Sequence, residues 1–377
     1  VAGEHRAQAS GHECVDAVVI GGGIIGFAVA RELALARREV VVFEAESTFG
    51  SHASGRNSEV VHAGIYYPPG SLKAELCVRG RTLLYAYAER EEVAHARLGK
   101  LVVAVTDDEV PELERLFARA EANGVADLAW LDARSVRELE PAVRAVLALY
   151  SPSSGIVDAH ALLVSFKREA RSLGAHMFTS TPVLRGRVDP AGVTLELGGR
   201  GAGSSVCART VVNAAGLRAP SVSRSIAGLD ASAIPEEHYA KGHYFGLAGP
   251  SPFRRLVYPL PVAGGLGVHV TLDLAGRVRF GPDVSSVESL DYAFEDARAS
   301  DFYTAIRRYY PTLPDGALVP GYTGIRPKLG PIGTSHDFVV QGPTQTGAPG
   351  VVALYGIDSP GLTASLAIAE RVAALLV

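Results

Sequence analysis

The sequence predicts an α/β fold: a nucleotide-binding domain built from separated stretches, carrying an inserted α+β domain centred on an antiparallel sheet. Three features carry this expectation. The apolar run Val15–Ile20 leads through glycines 21–23 into an amphipathic stretch, 24–36, and then a second apolar run, Val40–Phe43. Four short strand-like runs, 239–247, 255–258, 266–272 and 278–280, follow one another with no crossover helix between them. The α/β pattern then returns, with a strand at 351–354, glycines from 356 to 361 and an amphipathic helix at 362–376.

Length and composition agree with two domains. The chain has 377 residues, against a usual domain of about 150. Hydrophobic residues make up 47% and charged residues 20%, which excludes a disordered chain, a coiled coil and a collagen-like fibre. The net charge of −4 leaves no basic excess to neutralise a phosphate backbone, so no nucleic-acid partner is expected. Cys14, Cys77 and Cys207 are too scattered for a disulfide framework or a cysteine-rich zinc site, and fit a reducing compartment. No HExxH, Walker loop, G-x-S-x-G elbow or metal-ligand cluster occurs, so no metal is expected. No uninterrupted apolar stretch reaches membrane-spanning length, and no transmembrane segment is expected.

Residues 1–13 are polar and without periodicity, and read as a flexible tail. Ala7-Gln8-Ala9 resembles a signal-cleavage tripeptide, but no apolar core precedes it. The chain starts at Val1, so removal of an upstream segment stays open.

Val15–Ile20 has the length of a buried strand. In 24–36, Phe27, Ala30, Leu33 and Ala34 share a helical face. With Val40–Phe43 these form a right-handed βαβ unit. Residues 48–69, rich in Gly, Ser, His and Asn, read as a functional loop. Helices are expected at 72–92, Val110–Ala122, 159–173 and 300–309, and a strand at 100–105. Residues 183–187 and 193–197 alternate around Asp189-Pro190-Ala191-Gly192, a hairpin signal. Residues 210–213 form a buried strand ending in Ala214-Ala215-Gly216. The expected division is 14–95, 150–232 and 320–377 for the nucleotide-binding domain, and 96–149 with 233–319 for the second.

Gly21-Gly22-Gly23-Ile24-Ile25-Gly26 matches GxGxxG between a strand and a helix, the context that gives the pattern meaning. Gly21 makes the turn, Gly23 admits a pyrophosphate and Gly26 brings helix and sheet together. Glu44, ending the second strand with Ala45 after it, is placed to accept from an adenosine ribose. The fingerprint does not separate NAD from FAD. Three further features favour FAD. The polar run Ser54, Gly55, Arg56, Asn57, Ser58 supplies donors to a long cofactor. Val183 and the turn Ala214, Ala215, Gly216 lie beside the adenine half. The C-terminal turn Asp358, Ser359, Pro360, Gly361, Leu362, Thr363 opens a helix whose positive end suits the flavin N1–C2=O edge. The first domain is thus a discontinuous Rossmann-like FAD-binding domain, with the cofactor held non-covalently; His62 and Cys77 are the attachment points to check.

Several segments resemble a known family. Gly21 to Gly26 with Glu44, His62-Ala63-Gly64-Ile65-Tyr66-Tyr67-Pro68-Pro69-Gly70-Ser71-Leu72-Lys73-Ala74, and Gly267-Val268-His269 resemble the L-2-hydroxyglutarate oxidase/dehydrogenase family of the D-amino-acid-oxidase-like FAD oxidoreductases. The likeness runs from about Cys14 to near the end. Gly321-Tyr322-Thr323-Gly324-Ile325-Arg326-Pro327 looks like the segment carrying the superfamily's carboxylate-binding arginine, and also places Gly324 and Arg326 near the cofactor. Tyr258-Pro259-Leu260-Pro261 and Phe280-Gly281-Pro282-Asp283 look like further landmarks. Lys241-Gly242-His243-Tyr244-Phe245 departs from the family's Arg-Gly-Glu-Tyr-Phe, so the substrate-facing sheet is expected to differ. The resemblance implies FAD-dependent oxidation of a 2-hydroxyglutarate-like L-2-hydroxy acid to the 2-oxo acid, by hydride transfer to flavin N5.

That chemistry asks for a carboxylate anchor and a base. Arg326, expected in a glycine-rich turn, suits the anchor because its planar fork binds a carboxylate bidentately. His269, alternating with Val268 and Val270 on a strand, is the favoured base; His62 either serves as base or contacts the flavin ring. Tyr67, Tyr244, Tyr258 and Lys241 are candidate substrate contacts, and Lys73, Lys241 and His243 candidate receivers of a second carboxylate. Electrons pass to O2, a quinone or another protein. A cytoplasmic location is expected, peripheral to the inner membrane face if a quinone accepts. Two other readings remain at this stage: an amino-acid or secondary-amine oxidase of the same fold, which Arg326-Pro327 favours, and a non-catalytic flavin-binding protein.

Overall fold

The structure is a computed structural model that describes residues 14–261 and 265–376. The expected tail and the Ala7-Gln8-Ala9 tripeptide lie outside the described residues.

Five parallel strands form the centre of the first sheet, in the order His176–Phe178, Val40–Phe43, Val15–Ile20, Ser205–Asn213 and Val351–Tyr355. Strands covered on both faces must be apolar throughout, which is why Val40–Phe43 and Val351–Tyr355 read as unbroken runs, whereas the edge strand His176–Phe178 is largely exposed. Their side chains split by parity. Ala17 and Val19 face the helices Ile24–Leu35, Ala159–Ser172 and Gly361–Ala374, while Val18 and Ile20 face a second core that includes Val193 and Leu195. The hairpin Val183–Asp189 and Gly192–Leu197 joins antiparallel to the lower half of Ser205–Asn213. Helix Leu72–Arg90, capped by Ser71 accepting from the Ala74 N–H, packs on the same helical layer.

The second sheet runs Ser285–Val287, His238–Leu247, Val278–Phe280, Val270–Leu272, Leu256–Pro259, Lys100–Ala104, Leu147–Ser151 and Ala129–Asp132, with Leu318–Lys328 along the other side of His238–Leu247. Helix Ala299–Tyr309 covers one face through Phe302, Ile306 and Tyr309. Helix Val110–Ala122 covers the other through Leu113, Leu116 and Ala120. A small sheet of Val60–Val61, Gly155–Val157 and His95–Ala96 lies beside the loop that leaves the glycine turn.

Four expectations need correction. Arg326 sits in the eleven-residue strand Leu318–Lys328, not in a turn. Its prolines hid the strand, but this is an edge, paired on one side only, where a residue without an N–H is tolerated. His269 precedes the strand Val270–Leu272 instead of lying within it, after Gly267 with φ +75°. Ala129–Asp132, Ala133–Leu139 and Leu147–Ser151 are regular elements that the sequence did not announce, and Leu147–Ser151 and Leu318–Lys328 both belong to the second sheet. Finally, Cys14 and Cys207 form a disulfide across 193 residues of sequence. Distance along the chain misled, because the adjacent parallel strands pair Val15 with Ala208 and so set the two cysteines side by side. Cys77 is a buried free thiol.

Candidate active site

A cavity of about 890 Å³ runs along the ends of the parallel strands, where an open α/β sheet places its ligands, and reaches the second sheet. At one end is the glycine turn. Gly21 has φ +108°, and a Cβ there would stand 2.6 Å from the Ala214 carbonyl oxygen. A Cβ on Gly26 would overlap the Gly21 oxygen, so this glycine sets helix and strand in contact. Gly23 faces the cavity, where a Cβ would come 3.0 Å from Ser54 Oγ. Ser54 Oγ accepts the Ile24 N–H at 2.9 Å. Glu44 is fixed by two backbone N–H groups, Gly22 to Oε2 at 2.7 Å and Glu46 to Oε1 at 2.8 Å, and each oxygen keeps a lone pair for a ligand hydroxyl.

The polar loop forms the middle of the wall. Asn57 Nδ2 donates to the Ala53 and Ser54 carbonyls while its Oδ1 accepts from Glu59. Arg56 lies over the Tyr292 ring and donates to the Thr323 carbonyl at 3.2 Å. Ser58 bonds the Tyr244 hydroxyl at 2.9 Å, and Tyr244 stacks on Tyr322. The C-terminal turn closes one side. Its Asp358 is held between Lys73 at 2.8 Å and Lys328 at 2.6 Å. Burial alone would raise the Asp358 pKa, but the two ammonium groups outweigh it and hold the carboxyl below its ordinary value.

A cluster of titratable groups also lines the cavity. Arg326 reaches the cavity wall with no hydrogen bond or ion pair among the described residues. His269 is buried, stacked 3.8 Å from the Tyr258 ring centroid. Its Nδ1 lies 2.8 Å from the Gly267 carbonyl oxygen, an acceptor only, so Nδ1 carries the proton. Nε2 is therefore a bare lone pair, and it has no partner among the described residues. Burial pushes the His269 pKa down to about 3, with Lys100 and Arg326 adding to the shift against the Gly267 bond. His62 is also buried and held well below its ordinary pKa, first by burial and then by Lys100. Its Nε2 lies 3.2 Å from Ser359 Oγ and its Nδ1 3.5 Å from Lys100 Nζ.

The structure thus brings His62, His269, Arg326, Tyr67, Tyr244 and Tyr258 to one cavity, with the expected cofactor residues except Gly26 and Thr363. Gly26 lies beneath the turn, and the Thr363 hydroxyl is used inside, accepting the His62 N–H and donating to Val60. Lys241 and His243 are not brought there. Strand parity is the reason: Gly242 and Tyr244 face the cavity, so their odd-numbered neighbours point away. Lys241 pairs with Asp291 and Glu295, and His243 with Asp283. Lys73, occupied by Asp358, is no free cation. Lys100 and Lys328 escaped the sequence reading. Lys328 is the second residue after Arg326 on one strand face, a spacing that offered a signal; Lys100 read as an ordinary strand-end lysine.

The residues fit a long dinucleotide: a glycine turn that side chains would fill, a carboxylate fixed by two backbone N–H groups, and the start of helix Gly361–Ala374 on the same cavity. Among the described residues no metal-ligand group occurs, and no helix is long and apolar enough to cross a membrane.

Comparison with known proteins agrees. The profile of the family described as FAD dependent oxidoreductase matches residues 16–375. The chain is similar to the mitochondrial L-2-hydroxyglutarate dehydrogenase of Arabidopsis thaliana, at 46% identity over 97% of this chain and 84% of that protein. It is 32% identical to the Caenorhabditis elegans protein of the same name, over 95% of this chain and 92% of that one. Among solved structures it is similar to L-alpha-glycerophosphate oxidase from Mycoplasma pneumoniae with FAD bound, with a TM-score of 0.87 and 25% identity over 97% of this chain and 95% of that one.

Proposed function

The chain belongs to the FAD dependent oxidoreductase family, and from that premise we propose that it oxidises L-2-hydroxyglutarate, the substrate in the names of its relatives, to the 2-oxo acid. One observation carries the reading: an unpaired guanidinium, Arg326, and a histidine with a bare nitrogen, His269 Nε2, share the wall of one cavity. Bound in that cavity, FAD supplies the two-electron acceptor.

The remaining tasks fall to side chains. Arg326 clamps the 1-carboxylate through two parallel N–H bonds and so fixes the 2-carbon in space. His269 accepts the hydroxyl proton at Nε2, its tautomer set by Gly267 and its ring held flat by Tyr258. An arriving carboxylate offsets the charge of Arg326, which raises the affinity of His269 for that proton. The FAD is held by the turn at Gly21 and Gly23, by Glu44, by the run from Ser54 to Ser58 and by the C-terminal turn, non-covalently. Electrons then leave to dioxygen, a quinone or a second protein. A cytoplasmic enzyme would meet a quinone from the membrane surface.

Both histidines lining the cavity favour a hydroxy acid over an amine, which needs no base for a hydroxyl proton. An unpaired Arg326 in an open cavity disfavours a flavin-binding protein without turnover. Anaerobic mixing with single substrates tests the reading. L-2-hydroxyglutarate should bleach the yellow protein and yield 2-oxoglutarate, whereas the D-enantiomer, glycine and sarcosine should not. Bleaching by glycine or sarcosine, with L-2-hydroxyglutarate inert, overturns it.

A further inference from the structure

Lys100 opens a strand of the second sheet, and parity sends its side chain to the same face as Val102 and Ala104, toward Tyr66 and Tyr258. It is fully buried, and no carboxylate among the described residues pairs with it. Its Nζ stands 4.0 Å from the Tyr258 ring centroid and 5.4 Å from that of Tyr66. Among the described residues its one polar neighbour at hydrogen-bonding range is His62 Nδ1, at 3.5 Å. The other nitrogen of His62 meets Ser359 Oγ at 3.2 Å, and Ser359 lines the cavity. Lys100, His62 and Ser359 therefore form a continuous chain from the interior to the cavity wall.

We propose that Lys100 is a positioning residue: through the two nitrogens of His62, its protonation state sets the direction of the hydrogen bond at Ser359, and so whether the wall offers a donor or lone pairs. An ammonium donates to Nδ1, which obliges a neutral imidazole to carry its proton on Nε2 and give it to Ser359 Oγ. The Ser359 hydrogen is then free to point into the cavity. A neutral amine accepts from Nδ1–H, so Nε2 becomes the acceptor, Ser359 donates to it, and the serine turns lone pairs outward. Negative charge arriving in the cavity favours the first arrangement and draws a proton onto Lys100.

Both states are within reach, because burial pushes the Lys100 pKa down to about 7. The other groups facing it do not replace this role. Burial holds the Cys77 thiol up at about 12 and raises the Tyr66 and Tyr258 hydroxyls well above their ordinary value, so none of them is a counterion near neutrality. His269 is neutral there with its tautomer fixed by Gly267.

The functional consequence rests on the cavity being the cofactor and acid site, but the chain of bonds does not, and its test needs no turnover. The FAD-reconstituted holoenzyme is labelled with 15N-histidine, and the ring nitrogens of His62 are followed by NMR from pH 5.5 to 9, assigned by their loss in His62→Gln. The expected result is a change from Nε2–H to Nδ1–H as pH rises through about 7. Lys100→Met should abolish the change, and Lys100→Arg, always charged, should hold Nε2–H throughout. One unchanging tautomer in the parent, or the same transition in Lys100→Met, overturns the proposal. Failure of L-2-hydroxyglutarate to bleach the enzyme would overturn the proposed function and leave this result standing.

Discussion

At Arg326 the guanidinium has no hydrogen bond or ion pair among the described residues, which suits the proposed role of carboxylate anchor. Truncating one side of a buried charged pair costs about 2–5 kcal/mol, so Arg326→Ala should lower kcat/KM by roughly two to three orders of magnitude. His269→Gln keeps volume and polarity but cannot take a proton; kcat should fall by about 10²–10⁴ with KM changed far less, measured by anaerobic reduction at saturating substrate. Equal losses in KM instead would assign His269 to binding. Lys100 gives a stability prediction with a definite sign. Its folded pKa, about 7, lies below the unfolded 10.5. Between those values the unfolded chain holds a proton that the folded chain lacks. Stability therefore rises with pH across this window, by up to about 1.4 kcal/mol per unit. Below pH 7 the burial penalty is fully present. The stability difference between Lys100→Met and the parent in urea should thus favour the variant most at pH 7 and shrink toward pH 9. Arg326 and His269 could be singled out from the sequence because their chemistry and motif coincided; Lys100 could not, because a lysine gains meaning here only from what the sheet face packs around it.

Among the elements, the strand–glycine–helix unit does the most with the fewest residues. Gly21 combines a positive φ with an approach to Ala214 that leaves no room for a methyl group. Gly21→Ala should give a colourless, FAD-free protein, and retention of bound FAD after gel filtration would contradict this account of the turn. The C-terminal turn depends on charge instead. Asp358 ties helix Leu72–Arg90 to strand Leu318–Lys328 through Lys73 and Lys328. Asp358→Asn leaves two poorly solvated ammonium groups unpaired, at a cost of about 3–5 kcal/mol. Melting temperature and FAD affinity should both fall, and unchanged values would show that the lysines find other partners. Periodicity exposed four of the five parallel strands and most helices, since burial on two faces or on one stripe imprints the sequence directly; it missed the largely exposed His176–Phe178. It did not expose Leu318–Lys328, where Pro320 and Pro327 are tolerated only because the strand is an edge. Nor did it expose the rule that Lys241 and Tyr244, an odd number apart on one strand, must face opposite sides.

On the scale of the whole molecule, two sheets meet across one cavity, and the chain crosses between them repeatedly. Long-range partners of this kind are where a sequence is least informative. The Cys14–Cys207 disulfide closes a span of 193 residues; chain-entropy estimates for such a loop approach about 5 kcal/mol, an upper bound in practice. Reduction, or Cys207→Ser, should lower the unfolding midpoint, and three free thiols in the native protein under non-reducing conditions would contradict the bond. The central claim is that the first domain holds a flavin and the second presents an acid to it. Anaerobic stopped-flow reduction by L-2-hydroxyglutarate, comparing the parent with Arg326→Ala at equal FAD content, tests it most directly. Rapid bleaching of the parent and a rate slowed by orders of magnitude in the variant are expected. Equal rates, or a parent that this acid never reduces, would contradict it.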